Sequence, residues 1–125
     1  DALFIARLGH RVTGVDQSPT GIADMLGAAR SEGLALTGVV ADITTWQSAG
    51  RYDVILFDRT LHMLAPPARH MAFRNILLCL KPGGYVVVVD EKANMPGIEL
   101  VLNDSAMIWV EQHRKGGALI VQDTR

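Results

Sequence analysis

The feature that constrains the fold most is a run of four apolar residues at positions 54–57, which polar residues precede and Asp58 follows. A short apolar run of β-forming residues between polar boundaries is typical of a strand that is buried on both faces. Strands of this kind belong to parallel sheets covered by helices, and ligands bind there outside the carboxyl ends of the strands. The sequence therefore predicts a helix-covered sheet and directs the search for chemistry to residues 58–62.

Predicted strands and helices alternate along the chain. Strands are expected at residues 11–16, 36–41, 54–57 and 85–89, and helices at 1–8, 18–33 and 66–80. A loop with a short helix follows at 94–104, and two strands at 107–113 and 118–122 flank a turn with two glycines. Alternation implies right-handed crossovers, so the expected fold is α/β, with a doubly wound, mostly parallel sheet and a C-terminal antiparallel hairpin.

Length and composition limit the classes of function. A chain of 125 residues is one domain or part of one. Twelve basic and thirteen acidic side chains give a net charge of -1, which offers no electrostatic footprint for nucleic acid or an anionic membrane. The single cysteine, Cys79, excludes an internal disulfide and fits a reducing cytoplasm. We therefore expect a cytoplasmic protein with neither nucleic acid nor membrane as a partner.

Four predicted strands end on an acidic residue or directly before one: Asp16, Asp42, Asp58 and Asp90. Any one of them could simply be a turn residue that meets water, but parallel strands place their carboxyl ends on one rim. In nucleotide-binding βαβ units, an acid after the second strand accepts hydrogen bonds from ribose hydroxyls, about 20 residues after a glycine-rich turn begins. Only 15 residues precede Asp16. We therefore expect the first strand and its glycine-rich turn to lie upstream of Asp1.

These motifs, taken together, resemble a known family. Residues 12–18, 41–43, 58–64 and 81–85 (VTGVDQS, ADI, DRTLHML and KPGGY) look like the motifs of class I S-adenosylmethionine-dependent methyltransferases, in order and in spacing. The resemblance covers nearly the whole chain and implies one Rossmann-like methyltransferase domain over residues 1–125, with S-adenosylmethionine as the cofactor. It also implies the strand order 3-2-1-4-5-7-6, in which the last pair is antiparallel.

The resemblance assigns roles to residues at the strand ends. The acid that matches Asp16 binds the ribose hydroxyls in that family. The acid that matches Asp42 receives the adenine amino group, and Ile43 packs on or beside the ring. Three further cofactor contacts are implied: Gln17, Asp58 and Arg59. Arg59 could instead hold an acidic substrate or pair with a neighbouring carboxylate.

The sequence departs from the family at its beginning. The family's first strand and its glycine-rich loop are missing, and that strand lies between the second and the fourth. Without it, two interior strand edges lose their hydrogen-bonding partners, at about 1–3 kcal/mol for each unpaired buried group. We therefore expect the chain to be a fragment that is marginally stable or prone to aggregation on its own.

Methyl transfer is an in-line displacement, and a base is needed only where the acceptor must lose a proton. His62, just past the strand at 54–57, is the candidate base, although it could instead be structural or contact the substrate. No Asn/Asp-Pro-Pro-Tyr run follows that strand, which favours a small-molecule acceptor. Asp58 and Asp90 could hold Mg²⁺, but one pair of acids is a weak signal, and no metal is expected.

Two other functions are compatible with the sequence. The first is a nicotinamide-dependent Rossmann oxidoreductase, which Asp16 fits equally well and which the Asp42-Ile43 pair and the closing hairpin fit less well. The second is a non-catalytic nucleotide-binding or scaffold module that has lost its glycine-rich loop. Neither the methyl acceptor nor an oligomeric state is indicated by any motif.

Overall fold

The structure, a computed structural model, describes residues 1–125. The chain divides into two compact units, Asp1–Ile43 and Thr44–Arg125. None of the helices has the length and the apolar character that a transmembrane span requires.

The first unit contains two helices and two parallel strands: α1 (Ala2–Arg7), β1 (Val12–Asp16), α2 (Pro19–Glu32) and β2 (Leu36–Val40). The predicted boundaries of α2 are confirmed by its caps. The Ser18 hydroxyl accepts a hydrogen bond from Gly21 N–H at 3.0 Å, and Pro19 takes the first turn, where it loses no helical hydrogen bond. Gly33 ends the helix in the left-handed conformation, with φ +67°.

Gly14 and Gly38 are register partners in the β1–β2 pair. A Cβ atom on Gly38 would lie 2.7 Å from Cγ2 of Ile22, and one on Gly14 would lie 2.8 Å from Cε of Met25. Ile22 and Met25 both belong to α2. The two glycines therefore let this helix lie directly on the strands.

Replacing Gly38 with alanine is expected to lower the free energy of unfolding by about 1–3 kcal/mol, because the methyl group would overpack against the branched Ile22. Gly27→Ala is the matched control, since nothing lies within 4 Å of its Cβ position. Alanine in a helix interior is favoured over glycine by about 1 kcal/mol, so this variant should gain stability. Urea denaturation measures both changes, and two variants of equal stability would contradict the close packing of α2.

The second unit contains a four-stranded sheet and two helices: β3 (Tyr52–Asp58), α3 (Pro66–Leu77), β4 (Leu80–Val89), α4 (Met95–Asp104), β5 (Trp109–Lys115) and β6 (Ala118–Asp123). Short 3₁₀ turns follow β3 at Leu61–Met63 and β4 at Lys92–Asn94. The strand order is β3-β4-β6-β5, with β3 and β4 parallel and both other pairs antiparallel. The α/β class, the parallel strands and the closing antiparallel hairpin are thus confirmed.

The strand order also matches the last four positions of the family's order, 4-5-7-6, since the last strand, β6, lies between β4 and β5. β1 and β3 each have a strand neighbour on one side only. The first strand and the glycine-rich loop that the family resemblance implies stay a prediction.

The prediction that residues 54–57 are buried on both faces is wrong. Ile55 and Phe57 are buried, whereas Val54 and Leu56 are 55% and 38% exposed. The reason is that α3 and α4 pack on one face of the sheet. The Phe57 ring meets Phe73 of α3 edge to face, with the ring centroids 5.3 Å apart. The other face of this strand is open.

The predicted boundary near residues 77–85 is also corrected. α3 ends at Leu77 and β4 already begins at Leu80, so the Lys-Pro-Gly-Gly segment lies inside a strand instead of ending a helix. Tyr52 N–H donates to the carbonyl of Cys79 at 2.8 Å, and the fully buried Leu80 pairs with Tyr52. A register irregularity before Val54 accommodates the four intervening residues. Residues 95–104 are helical throughout, and β5 begins at Trp109 instead of residue 107.

Candidate active site

In the first unit, β1 and β2 bring two predicted cofactor contacts to the same end of the sheet. Asp16 pairs with Val40, and Ala41 N–H donates to the carbonyl of Asp16 at 2.9 Å. Asp16 and Asp42 are both exposed, and Ile43 is half-buried. The Oδ1 atom of Asp16 accepts a hydrogen bond from Ser18 N–H at 3.1 Å. A carboxylate can accept further bonds, so this rim can bind hydroxyl or amino donors beside an apolar side chain.

Gln17 follows Asp16 directly and is exposed. It lies between the end of β1 and the Ser18 cap of α2. Its position keeps it on the same rim as Asp16, but no hydrogen bond of the structure fixes its amide group. Its role as a cofactor contact stays a prediction.

In the second unit, Asp58 ends β3 opposite Val89, and Arg59 N–H donates to the carbonyl of Val89 at 2.7 Å. Arg59 is the one non-glycine residue with a positive φ, at +55°. Such a conformation strains an L-amino acid and often marks a functional turn. Here it turns the chain sharply out of β3 and into the segment that carries His62.

Replacing Arg59 with glycine is expected to raise the free energy of unfolding by about 1 kcal/mol, because glycine adopts a positive φ without steric cost. Arg59→Ala is the matched control, since it also removes the guanidinium but keeps the strained backbone. Chemical denaturation compares the two variants. If the alanine variant were as stable as the glycine variant, the strain at this turn would be disproved.

His62 lies on the 3₁₀ turn after β3 and touches Asp90, the acid that follows β4. The backbone N–H of His62 donates to Oδ2 of Asp90 at 3.1 Å, and the ring atom Nδ1 of His62 lies 3.9 Å from the same oxygen. The His62 side chain is 29% exposed, whereas that of Asp90 is 0% exposed. The structure therefore places the predicted base in contact with the acid that directly follows the neighbouring parallel strand.

Sequence reasoning placed Asp90 at a strand end but missed its link to His62. The Oδ1 atom of Asp90 accepts hydrogen bonds from Glu91 N–H at 2.8 Å and from the amide of Asn94 at 2.7 Å. With the backbone N–H of His62 on Oδ2, three N–H donors hold this carboxylate. No group of three or more His, Cys, Asp and Glu side chains has an arrangement that could hold a metal ion.

Arg69 of α3 is a second residue that the sequence did not single out. Its guanidinium donates to the carbonyls of Leu61 and Leu64, at 3.1 and 3.0 Å, and to Oδ1 of Asn94 at 2.8 Å. Arg69 thereby fixes the ends of the turn that carries His62. No sequence signal distinguishes it from a solvent-facing arginine on a helix, because all three partners lie outside that helix.

The predicted site residues thus fall into two groups. Asp16, Gln17, Asp42 and Ile43 belong to the first unit, whereas Asp58, Arg59 and His62 belong to the second. Each group is drawn together at the carboxyl ends of a pair of parallel strands, which is the general location of ligand sites in such sheets.

Among characterised proteins, the chain is 34% identical over 98 residues to the 2-heptyl-1-hydroxyquinolin-4(1H)-one methyltransferase of Mycobacteroides abscessus. The aligned region is 76% of this chain and 43% of that protein, so the chain spans less than half of the relative's length.

Two solved structures illustrate the likeness of fold. The N-methyltransferase NodS of Bradyrhizobium japonicum WM9, in complex with S-adenosyl-L-homocysteine, is 17% identical with a TM-score of 0.75, over 99% of this chain and 74% of that one. The 1,6-didemethyltoxoflavin-N1-methyltransferase of Burkholderia thailandensis, with 1,6-didemethyltoxoflavin and S-adenosylhomocysteine bound, is 20% identical with a TM-score of 0.73, over 98% and 65%. These similarities establish the fold.

The family described as "Methyltransferase domain" matches residues 1–84. This region includes both strands of the first unit and continues through β3, the His62 turn and α3. Since the match covers more than half of the sequence, the chain belongs to the methyltransferase domain family.

Proposed function

We propose that this domain transfers a methyl group from S-adenosylmethionine to a small-molecule acceptor. The observation that carries the proposal is the pair of exposed carboxylates, Asp16 and Asp42, at adjoining strand ends in a chain of this family. The structures of NodS and of the Burkholderia thailandensis enzyme, both with S-adenosylhomocysteine bound, support the choice of cofactor.

The residues of the first unit fit the nucleoside part of this cofactor. The exposed carboxylate of Asp16 would accept hydrogen bonds from the ribose hydroxyls, and that of Asp42 from the adenine amino group. The half-buried Ile43 offers apolar surface to the ring. Further contacts are proposed for Gln17, Asp58 and Arg59. When bound, S-adenosylmethionine supplies an electrophilic methyl group on a positively charged sulfur.

His62 is the proposed base for an acceptor that must lose a proton. Its Nδ1 is buried, but its side chain retains some exposure, so Nε2 is the ring nitrogen available to a substrate. The neighbouring Met63 is 77% exposed and adds a flexible apolar side chain to the same turn. This combination suits a hydroxyl on an apolar ring system. The compound in the name of the Mycobacteroides relative, 2-heptyl-1-hydroxyquinolin-4(1H)-one, has a hydroxyl on a ring system and a heptyl chain. This supports the proposed acceptor class.

We further propose that the protein works in the cytoplasm and without a nucleic-acid or membrane partner. The near-neutral charge and the single buried cysteine support this proposal.

The experiment that tests the proposal incubates the full gene product with S-adenosylmethionine and a panel of acceptors. The panel contains an alkyl hydroxyquinolone, its analogue without the N-hydroxyl, and a polar catechol. Mass spectrometry should detect S-adenosylhomocysteine and a product heavier by one methylene unit with the alkyl hydroxyquinolone. Equal turnover of the analogue without the N-hydroxyl would contradict a hydroxyl acceptor, and no turnover of any acceptor in a folded protein would contradict the acceptor class.

A further inference from the structure

The carboxylate of Asp90 is fully buried and is held by three N–H donors. The backbone N–H of His62 donates to Oδ2, while the backbone N–H of Glu91 and the side-chain amide of Asn94 donate to Oδ1. A buried carboxylate is costly unless such donors compensate its charge. The arrangement therefore fixes a carboxylate oxygen 3.9 Å from Nδ1 of the His62 ring.

The orientation of the Asn94 amide is also fixed. Its Oδ1 accepts a hydrogen bond from Arg69 at 2.8 Å, so its NH₂ group must be the part that faces Asp90. Arg69 holds both Asn94 and the backbone of the His62 turn. Acid, amide and arginine thus form one hydrogen-bonded network that positions the carboxylate relative to the ring.

The Nδ1 atom of His62 is a buried polar atom with no hydrogen-bond partner, and Oδ2 of Asp90 lies 3.9 Å from it. A neutral imidazole carries its proton on one nitrogen only. At this distance, the lone pair of an unprotonated Nδ1 would be repelled by the buried carboxylate, whereas the N–H of a protonated Nδ1 would be attracted to it. Closure by about 1 Å would complete a normal hydrogen bond, and such contacts often tighten when substrate binds.

We propose that Asp90 is a positioning residue that holds His62 in the Nδ1–H tautomer and thereby makes Nε2 the proton acceptor. This inference rests on the proposed base role of His62. The acceptor hydroxyl gives its proton to Nε2, and the electron pair of the O–H bond stays on the oxygen. The resulting imidazolium has its positive charge next to the carboxylate of Asp90, which stabilises it. Exposure of the ring then allows the proton to leave to solvent.

The tautomer can be read without any activity. Protein labelled with ¹⁵N-histidine gives two ring-nitrogen signals for each histidine, and the loss of one pair in His62→Gln assigns those of His62. In the neutral ring, the signals should show a protonated Nδ1 and an unprotonated Nε2. A protonated Nε2 would overturn the proposal, whether or not the protein transfers methyl groups.

Two variants separate positioning from stability. Asp90→Asn should shift the tautomer toward Nε2–H and lower kcat at least about tenfold, with the KM for S-adenosylmethionine nearly unchanged. Asn94→Ala removes a donor from Oδ1 but leaves Oδ2 facing His62, so it should lose stability, keep the tautomer and lower kcat less than Asp90→Asn does. Equal kcat losses in both variants, with an unchanged tautomer, would make Asp90 merely structural. If Asp90→Asn does not fold, the His62 tautomer measured in the unmodified protein still tests the proposal.

Discussion

Replacing His62 with alanine is expected to lower kcat by about 10²–10⁴-fold, which is the usual contribution of a positioned general base. The affinity for S-adenosylhomocysteine should change little, because the proposed nucleoside contacts, Asp16, Asp42 and Ile43, lie elsewhere in the chain. Steady-state kinetics with a hydroxyl acceptor measures kcat, and calorimetric titration measures the affinity.

His113→Ala is the matched control for this experiment. His113 is an exposed histidine on β5, so its removal should leave both quantities unchanged. Equal losses of kcat and of cofactor affinity in His62→Ala would identify a structural histidine. Full activity of that variant would show that the acceptor needs no base at this position.

Replacing Asp16 with alanine is expected to weaken cofactor binding by about 1–3 kcal/mol, or about 5–150-fold, which is the scale of hydrogen bonds to a charged group. Asp16 is exposed at the end of β1, and its side chain makes only a local contact to Ser18 N–H. The loss should therefore appear in binding more than in stability. Calorimetric titration with S-adenosylhomocysteine measures the first, and thermal unfolding measures the second.

Asp24→Ala provides the control for the change of charge. Asp24 is an exposed acid on α2, so its removal alters the net charge identically. If both variants bound with the same reduced affinity, the effect would come from long-range electrostatics and not from a contact of Asp16. An unchanged affinity in Asp16→Ala would remove this residue from the site.

The elements that the sequence predicts well are those whose signals are local. The caps of α2 are an example, because Ser18, Pro19 and Gly33 act on the backbone of their own helix. The predicted end of α3 is wrong, because proline and glycine signal a break in a helix but do not specify the next element. The pairing of Leu80 with Tyr52 across the sheet decides that residues 80–84 join the strand.

The site shows the same division between local and distant information. Acids at strand ends are visible in the sequence, and the parallel pairing of the strands explains why Asp16 and Asp42 adjoin. The contact between His62 and Asp90 spans 28 residues, and that between Arg69 and Asn94 spans 25. Contacts between residues this far apart in the sequence depend on how β3, β4 and the helices pack. Rules based on residue spacing do not describe that packing. The exposure of Val54 and Leu56 is not visible in the sequence for the same reason, since burial depends on which helices cover the strand.

Calorimetric titration of S-adenosylhomocysteine into the full gene product that carries these 125 residues tests the central claim most directly. We expect binding with a Kd in the micromolar range, about 8 kcal/mol of binding free energy. The affinity should fall in Asp16→Ala but not in Asp24→Ala, and NADH should not bind. A folded protein that binds NADH but not S-adenosylhomocysteine would contradict the account, as would one that binds neither.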